Sequence, residues 1–254
     1  MTDLIEISRD GAVQIVRMAR PEKKNALTQA MYGGLANALA AGEKDDDLLV
    51  HVLAGAGADF TAGNDLNDFL ALERLTGTDL ERFLLTLAGL EKPVVAAVKG
   101  AAIGIGSTML LHCDLVVAAT DSRFQFPFVN LGLVPEAASS LLLPRLSGYQ
   151  RAAELLLLGE PFDAGKAREI GLANAVVAVG EEEGAALALA HRLAARPRQA
   201  LRQAKALLKR EPEPVTERIA REARLFEAAL RSEELREAVA AFREKRPPDF
   251  SRCR

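Results

Sequence analysis

The first twenty residues show hydrophobic and polar positions in alternation. Residues 4–8 and 13–18 carry aliphatic side chains between polar ones, and a glycine-containing turn separates the two runs. Because successive side chains of a strand point to opposite faces, this pattern predicts a β-hairpin with one buried face. Pro21 then ends the extended segment.

The next segment changes to the period of a helix. Met31, Leu35 and Leu39 recur at four-residue spacing and fall on one face. Thr28 precedes them as a candidate N-cap, and Gly42 stands near the end of the pattern. An amphipathic helix is therefore predicted between Thr28 and Gly42.

Further along, short runs that are apolar at almost every position alternate with helical patterns. Strands are predicted at residues 48–54, 94–98 and 115–119, and helices at residues 79–90 and after Gly104. Continuous apolar runs are typical of strands covered on both faces, and their alternation with helices is typical of parallel pairing. The sequence therefore predicts an α/β protein.

Beyond Val179 the sequence becomes charged and alanine-rich, and prolines predict breaks between successive helices. Two apolar stripes run along the last helices, formed by Val215, Ile219, Phe226 and Leu230, and by Leu235, Val239 and Phe242. Such stripes must be covered, which favours assembly through the C-terminal helices.

Composition narrows the classes of ligand and location. The 254 residues are 49% hydrophobic, enough for one sizeable core, and 35 acidic residues nearly balance 32 basic ones. This balance gives no reason to expect nucleic acid or a membrane surface as a partner. The apolar stretch at residues 93–111 contains Lys99 and three glycines, which favours a buried strand, turn and helix over a membrane span. The N-terminus lacks a secretory-signal pattern, so a cytoplasmic location is expected.

The residues that most often bind metals are scattered. His51, His112 and His191 have no second ligand at metal spacing, and Cys113 and Cys253 share neither metal nor disulfide spacing. All three histidines are predicted to be structural, and no metal site is expected.

Two glycine-containing loops each follow a predicted buried strand. Residues 104–106 (GIG) lack the third glycine and the later acidic residue of a dinucleotide site, so that interpretation is weak. A tight turn packed against a neighbour is the commoner explanation for such glycines. If residues 59–66 and 104–106 each contributed one backbone N–H, however, the pair would form an oxyanion hole for a thioester enolate.

Several dispersed segments resemble the crotonase (enoyl-CoA hydratase/isomerase) superfamily in order and spacing. They are residues 20–27 (RPEKKNAL), 60–66 (FTAGNDL), 98–106 (VKGAAIGIG), 113–114 (CD), 162–172 and 241–246. The similarity covers nearly the whole chain. It implies a crotonase-like spiral of ββα repeats over residues 1–195 and a helical C-terminal trimerisation region over residues 196–254, usually in a hexamer. It also implies that Asn64 and Ile105 supply the oxyanion-hole N–H groups.

The resemblance also bears on the reaction type. Hydratases of this superfamily carry two glutamates, and the matching positions here are Thr108 and Phe128, neither of which can activate water. Glu136 lies in a segment that resembles peroxisomal-type Δ3,Δ2-enoyl-CoA isomerases, which use one glutamate as the sole base. This similarity implies a proton shuttle from C2 to C4 by Glu136, although without it a solvated glutamate in the first turn of a helix, interacting with the helix N-terminus, would be the simpler interpretation.

The remaining expected contacts concern the acyl chain and coenzyme A. An acyl pocket is expected near Phe126, Phe128, Leu133 and Val134, although core packing is the commoner role for any one of them. Coenzyme A, as part of the substrate, is expected near Lys23, Lys24, Ala62, Asp65 and Lys245, and no separate cofactor is expected.

Three other functions stay open at the level of sequence. One is a different dienolate reaction of the same superfamily, such as ring-opening isomerisation of an epoxide thioester. Another is a hydratase-like activity, and the third, from a different class, is a silent acyl-CoA-binding subunit. Retention of Glu136 argues against the last of these.

Overall fold

The computed structural model describes residues 4–72 and 74–253, which form two compact units, one up to Ala190 and one from His191 onward. The strands are β1 Ile5–Asp10, β2 Val13–Met18, β3 Val50–Gly55, β4 Val94–Val98, β5 Ala101–Ile103, β6 Leu115–Ala119, β7 Arg123–Gln125, β8 Phe162–Asp163 and β9 Ala175–Val177. The α-helices are α1 Gln29–Lys44, α2 Leu66–Leu70, α3 Asp79–Gly89, α4 Ile105–Thr108, α5 Ser139–Ser147, α6 Tyr149–Leu158, α7 Ala164–Glu169, α8 Glu182–Ala194, α9 Arg198–Leu208, α10 Val215–Ala229 and α11 Glu233–Glu244. Short 3₁₀ turns occur at Pro21–Lys23, Met109–His112, Val129–Leu131 and Phe250–Arg252.

The strands of the first unit form two sheets. The larger sheet has the order β1-β2-β3-β4-β6-β9, in which β1 and β2 form the predicted antiparallel hairpin and every later pair is parallel. The smaller sheet has the order β5-β7-β8, with β5 parallel to β7 and β7 antiparallel to β8. Both the α/β class and the parallel pairing expected from the apolar runs are confirmed.

The central strands and α1 form the core of this unit. All residues of β3 and β4 are buried, as their continuous apolar sequence predicts. The Thr28 hydroxyl caps α1 by accepting a hydrogen bond from the N–H of Met31 at 3.3 Å, which satisfies one of the free donors at a helix start. Tyr32 of α1 packs against Phe83 of α3 with 5.7 Å between ring centroids.

The segment after Gly104 is less helical than its sequence suggests. The structure forms one α-helical turn, α4, which passes at once into the 3₁₀ turn Met109–His112 and ends at Cys113. Thr108 and His112 therefore lie on one short, buried segment between β5 and β6.

The second unit is helical, and its breaks lie where prolines predict them. Pro197 and Pro214 occupy the N-cap positions of α9 and α10. The stripe residues of α10 and α11 are substantially solvent-exposed within the chain, and Phe242 reaches 85% exposure. Isolated apolar side chains are common on protein surfaces, but an ordered row along two consecutive helices is typical of an interface.

We therefore predict that the chain self-associates to a trimer or hexamer through α10 and α11. Replacement of Phe226 by Glu should weaken this assembly because it would bury a charge in the interface. Sedimentation velocity at micromolar concentration measures the effect, with Ala220→Glu on the same helix as the control outside the stripe. A stable monomer of the unaltered protein would contradict the prediction.

Candidate active site

The first glycine loop, residues 60–66, is fixed by the segment that precedes α1. The Thr61 hydroxyl donates to the carbonyl of Asn25 at 2.7 Å and accepts from the N–H of Gly63 at 3.1 Å. Gly63 has a φ of +95°, and a Cβ at this position would lie 2.7 Å from the carbonyl oxygen of Ile103. Both backbone conformation and space therefore require glycine immediately before Asn64.

The second glycine loop, residues 104–106, follows β5 and turns sharply at Gly104, whose φ is +57°. The Gly104 N–H donates to the carbonyl of Gln125 at 3.0 Å. The Ser107 hydroxyl donates to the carbonyl of Ala102 at 2.5 Å and accepts from the Gln125 N–H at 3.2 Å. These bonds fix the turn so that Ile105 is the first residue of α4.

The first glycine loop pairs in parallel with β5, the strand that leads into the second glycine loop. Thr61 and Ala102 form a parallel bridge, in which the Thr61 N–H donates to the preceding residue of β5 and its carbonyl accepts from the following one. Asn64 and Ile105 each lie three residues beyond this bridge, directly after a glycine with positive φ. The two turns that the sequence analysis expected to converge therefore lie at equal distances from one parallel bridge.

The N–H groups after the two glycines are available to a ligand. Within the described part of the chain, neither the Asn64 N–H nor the Ile105 N–H donates to a protein acceptor. The Asn64 side chain, by contrast, is held, because the Tyr32 hydroxyl donates to its Oδ1. Two neighbouring backbone donors without acceptors are suited to binding developing negative charge.

Glu136 approaches this place from the loop between β7 and α5. Its backbone carbonyl accepts from the Ser139 N–H at 2.9 Å and from the Ser139 hydroxyl at 2.7 Å. Its carboxylate Oε1 accepts from the Thr108 hydroxyl at 2.5 Å. Since Thr108 ends α4, which begins at the second glycine loop, the carboxylate lies beside that loop. Glu136 precedes α5 by three residues and is not in the first turn of the helix, as the simpler interpretation would require.

Burial controls the proton affinity of this carboxyl group. It raises the pKa of Glu136 from an ordinary 4.5 to about 7, and the hydrogen bond from Thr108 opposes part of the rise. Burial, followed by the charge of Glu136, also raises the pKa of Tyr32 well above 10. Because Tyr32 holds Asn64, these interactions bring the carboxylate and the first glycine loop into one neighbourhood. A carboxyl group with a pKa near neutrality can both accept and return a proton.

The sequence model of the enoyl-CoA hydratase/isomerase family matches residues 8–252. The chain belongs to this family. It is 36% identical to 1,2-epoxyphenylacetyl-CoA isomerase of Escherichia coli K12, and the similarity covers 99% of each chain. It is 35% identical to 2,3-dehydroadipyl-CoA hydratase of the same organism, and here the similarity covers 98% of this chain and 99% of the relative. Among solved structures, a candidate enoyl-CoA hydratase/carnithine racemase of Magnetospirillum magneticum AMB-1 is 55% identical with a TM-score of 0.98, covering 99% of this chain and 100% of that one. The crotonase membership and crotonase-like fold predicted from the motifs are thus confirmed.

The four residues predicted to line an acyl pocket lie in different environments. Phe126 is completely buried and stacks on Phe162 at 5.8 Å between ring centroids, which is the core-packing role left open by the sequence. Phe128 also belongs to the core, with 6% exposure. Leu133 and Val134 are exposed, Val134 to 80%.

The residues predicted to contact coenzyme A are partly brought together. The carbonyl of Lys24 accepts from the N–H of Ala62 at 2.9 Å, so the lysine turn borders the first glycine loop, and the side chains of Lys23 and Lys24 are exposed. The Asp65 carboxylate already caps α2 and pairs with Arg20 at 2.8 Å, which lowers its pKa and gives it a structural role. Lys245 lies in the second unit, exposed at the end of α11.

Sequence reasoning did not predict the hydrogen bonds that Tyr32, Thr108 and His112 make around Asn64 and Glu136. Tyr32 lies in the amphipathic helix predicted after Thr28, and nothing else in the sequence distinguished it. Thr108 was considered only because it occupies a position where the hydratases have a glutamate. His112 was predicted to be structural, and the sequence did not indicate its contact, in which Nε2 lies 2.9 Å from the carbonyl oxygen of Ala137, the residue after Glu136. The four-residue spacing of Thr108 and His112 was the available signal, since it places both on one side of a helical turn.

The described residues contain neither a metal-binding cluster nor a membrane-spanning helix. No group of three or more His, Cys, Asp or Glu side chains that could hold a metal ion occurs among residues 4–72 and 74–253. Within those same ranges, no helix has the length and apolar character needed to cross a bilayer.

The raised pKa of Glu136 predicts a pH-dependent cost in stability. Between pH 4.5 and about 7 the unfolded chain ionises this group while the folded protein keeps it neutral, so folding stability falls as pH rises and the full cost is present above pH 7. Glu136→Gln should therefore raise the free energy of unfolding at pH 8, by about 1–3 kcal/mol, and leave it nearly unchanged at pH 4.5.

Denaturant titrations at matched protein concentration measure this difference at the two pH values. Glu160→Gln, at an exposed position, is the matched control. Equal effects of Glu136→Gln at pH 4.5 and pH 8 would contradict the raised pKa.

Proposed function

We propose that this protein is an acyl-CoA isomerase that moves a double bond from C3 to C2 of a 3-enoyl-CoA, with Glu136 as its single proton carrier. The observation that carries the proposal is the position of one carboxyl group, with a pKa near 7, beside two backbone N–H groups that have no protein acceptor in the described chain. A base beside an anion site is the minimum that enolate chemistry on a thioester needs.

The reaction needs no second proton carrier. The ionised Glu136 removes a proton from C2, and the electrons move into the thioester, whose oxygen becomes the dienolate oxyanion. The N–H groups of Asn64 and Ile105 donate hydrogen bonds to that oxygen as its charge develops. The same carboxyl group then delivers its proton to C4, and the 2-enoyl-CoA and the ionised carboxylate are formed together.

The residues around Glu136 favour isomerisation over hydration. Hydration requires a group that activates water and a group that protonates the substrate. Thr108 is buried and donates its hydroxyl to Glu136, and Phe128 has no titratable atom and packs in the core. Among Thr108, Phe128 and Glu136, only Glu136 has a side chain whose pKa lies near neutrality.

The rest of the substrate would lie outside the reacting atoms. We propose that Lys23 and Lys24 interact with the phosphates of coenzyme A, because both are exposed beside the loop that carries Asn64. Leu133 and Val134, exposed in the loop that carries Glu136, would contact the acyl chain. Binding that depends on exposed lysines should weaken as ionic strength rises.

A second candidate is the ring-opening isomerisation of an epoxide thioester. It is favoured by the 36% identity to the Escherichia coli enzyme named 1,2-epoxyphenylacetyl-CoA isomerase. That reaction also needs an oxyanion site beside a carboxyl group. A panel of linear 3-enoyl-CoA and ring-epoxide aryl acyl-CoA substrates, compared by kcat/KM, separates the two functions.

Replacement of Glu136 by Gln should abolish most of the isomerase activity, because it keeps the size of the side chain but removes the base. We expect kcat to fall roughly 10²–10⁴-fold while acyl-CoA binding is largely retained. Conversion of 3-hexenoyl-CoA and calorimetric titration with a saturated acyl-CoA measure the two quantities, with Glu160→Gln as the matched control. Near-normal turnover by Glu136→Gln would show that another group is the base.

Hydration of crotonyl-CoA should be negligible, because Thr108 and Phe128 provide no water-activating pair. The loss of the thioester-conjugated absorbance of crotonyl-CoA measures the reaction, and the Glu136→Gln protein purified in parallel controls for contaminating host enzyme. Hydration that is rapid in the unaltered protein and lost in the variant would make the protein a hydratase that uses Glu136.

The pH dependence of isomerisation should follow the ionisation of Glu136. Because the base must be ionised in the free enzyme, kcat/KM should rise with pH, reach half its plateau near pH 7 and stay high above it. Initial rates with 3-hexenoyl-CoA from pH 5 to pH 9 test this. A profile that is flat, or that falls across this range, would be inconsistent with Glu136 as the base.

A further inference from the structure

A short buried segment contacts the Glu136 loop at two points. Thr108 and His112 are four residues apart on α4 and the 3₁₀ turn that follows it, with 0% and 9% exposure. The Thr108 hydroxyl donates to Glu136 Oε1 at 2.5 Å. His112 Nε2 lies 2.9 Å from the carbonyl oxygen of Ala137, and because a carbonyl can only accept, this nitrogen carries the proton and donates it.

We propose that Thr108 and His112 are positioning residues that hold the Glu136 base from two sides, the hydroxyl holding one carboxylate oxygen and the imidazole holding the backbone of the next residue. This inference rests on the proposed role of Glu136. The segment from Ile105 to His112 would then do two things. It supplies the Ile105 N–H to the anion site, and it sets the distance between that site and Glu136.

The backbone beyond Glu136 explains why a second attachment is needed. Ala137 and Ala138 have φ values of 52° and 55°, so two consecutive residues with a Cβ occupy the left-handed region. The left-handed region is strained for a residue with a Cβ, and a strained turn persists only where its surroundings fix it. The hydrogen bond from His112 to Ala137 and the two from Ser139 to the Glu136 carbonyl provide that fixation.

The Thr108 hydroxyl contacts one oxygen of the Glu136 carboxylate, Oε1. Thr108 has another acceptor, the carbonyl of Ile105, but that distance is 3.5 Å against 2.5 Å to Glu136. A hydroxyl prefers an ionised acceptor, so Oε1 is held and Oε2 is left to exchange the proton. Tyr32 also interacts with this carboxyl group, and it stays neutral because burial, followed by the charge of Glu136, raises its pKa well above 10.

The test of Thr108 compares Thr108→Val with Thr108→Ser. Valine keeps the shape but removes the donor, so the Glu136 pKa should rise and kcat at pH 7 should fall about 10–100-fold with little change in KM. Serine keeps the donor and should restore both the rate and the pH midpoint. Thr86→Val, which removes a hydroxyl that donates to a carbonyl within α3, is the matched control.

The test of His112 compares His112→Gln with His112→Leu. Glutamine can place an amide N–H near the position of Nε2 and should keep most of the activity, whereas leucine should lower kcat at similar KM. If His112→Leu fails to fold, as judged by circular dichroism, His112→Met supplies a second variant without a donor. Equal rates for the glutamine variant and the variant without a donor would overturn the role of His112.

A spectroscopic titration separates this inference from the proposed function. The carboxyl band of Glu136, identified by infrared difference against Glu136→Gln, reports its ionisation without any turnover. An upward shift of the midpoint in Thr108→Val, reversed in Thr108→Ser, supports positioning by Thr108 even if no 3-enoyl-CoA is converted. An unshifted midpoint would overturn it even in an active isomerase.

Discussion

The site depends on the parallel register between the first glycine loop and β5. The bridge from Thr61 to Ala102 fixes the pairing of these two segments. Each positive-φ glycine, with the N–H group after it, therefore lies the same number of residues beyond the bridge. Gly63 fits because it has no side chain to meet the carbonyl of Ile103. A shift of one residue would break this pairing and move one donor away from the other. Because α4 continues directly from β5, the same register also sets where Thr108 meets Glu136.

Burial gives the carboxyl group its chemistry and also makes it costly. A solvated glutamate has a pKa near 4.5 and would be a weak base, whereas in this loop its pKa is about 7. The hydrogen bond from Thr108 opposes the effect of burial, so the proton affinity reflects a balance of the two. The strained residues Ala137 and Ala138 add to the cost, and the surrounding hydrogen bonds maintain them.

Local pattern predicted most of the fold, but few of the contacts at the site. The hairpin, the Thr28 cap of α1 and the buried strands β4 and β6 follow from spacing within a few residues. Glu136 was found through its resemblance to a family segment. Its contact with Thr108 joins residues 28 positions apart, and no periodicity reports such a pair. The role of Phe126 could not be predicted either, because the sequence does not distinguish a phenylalanine that lines a pocket from one that packs in the core.

The use of backbone donors has a consequence for how such a protein can diverge. A side-chain donor is lost with one codon change, but any residue other than proline at positions 64 and 105 keeps the backbone N–H, provided that the glycines before them keep their turns. The proposed oxyanion site would therefore be retained through most point mutations at these two positions. The acid and base groups can then be exchanged one at a time at positions such as Thr108, Phe128 and Glu136. A lineage can change its reaction while the anion site stays intact at every step.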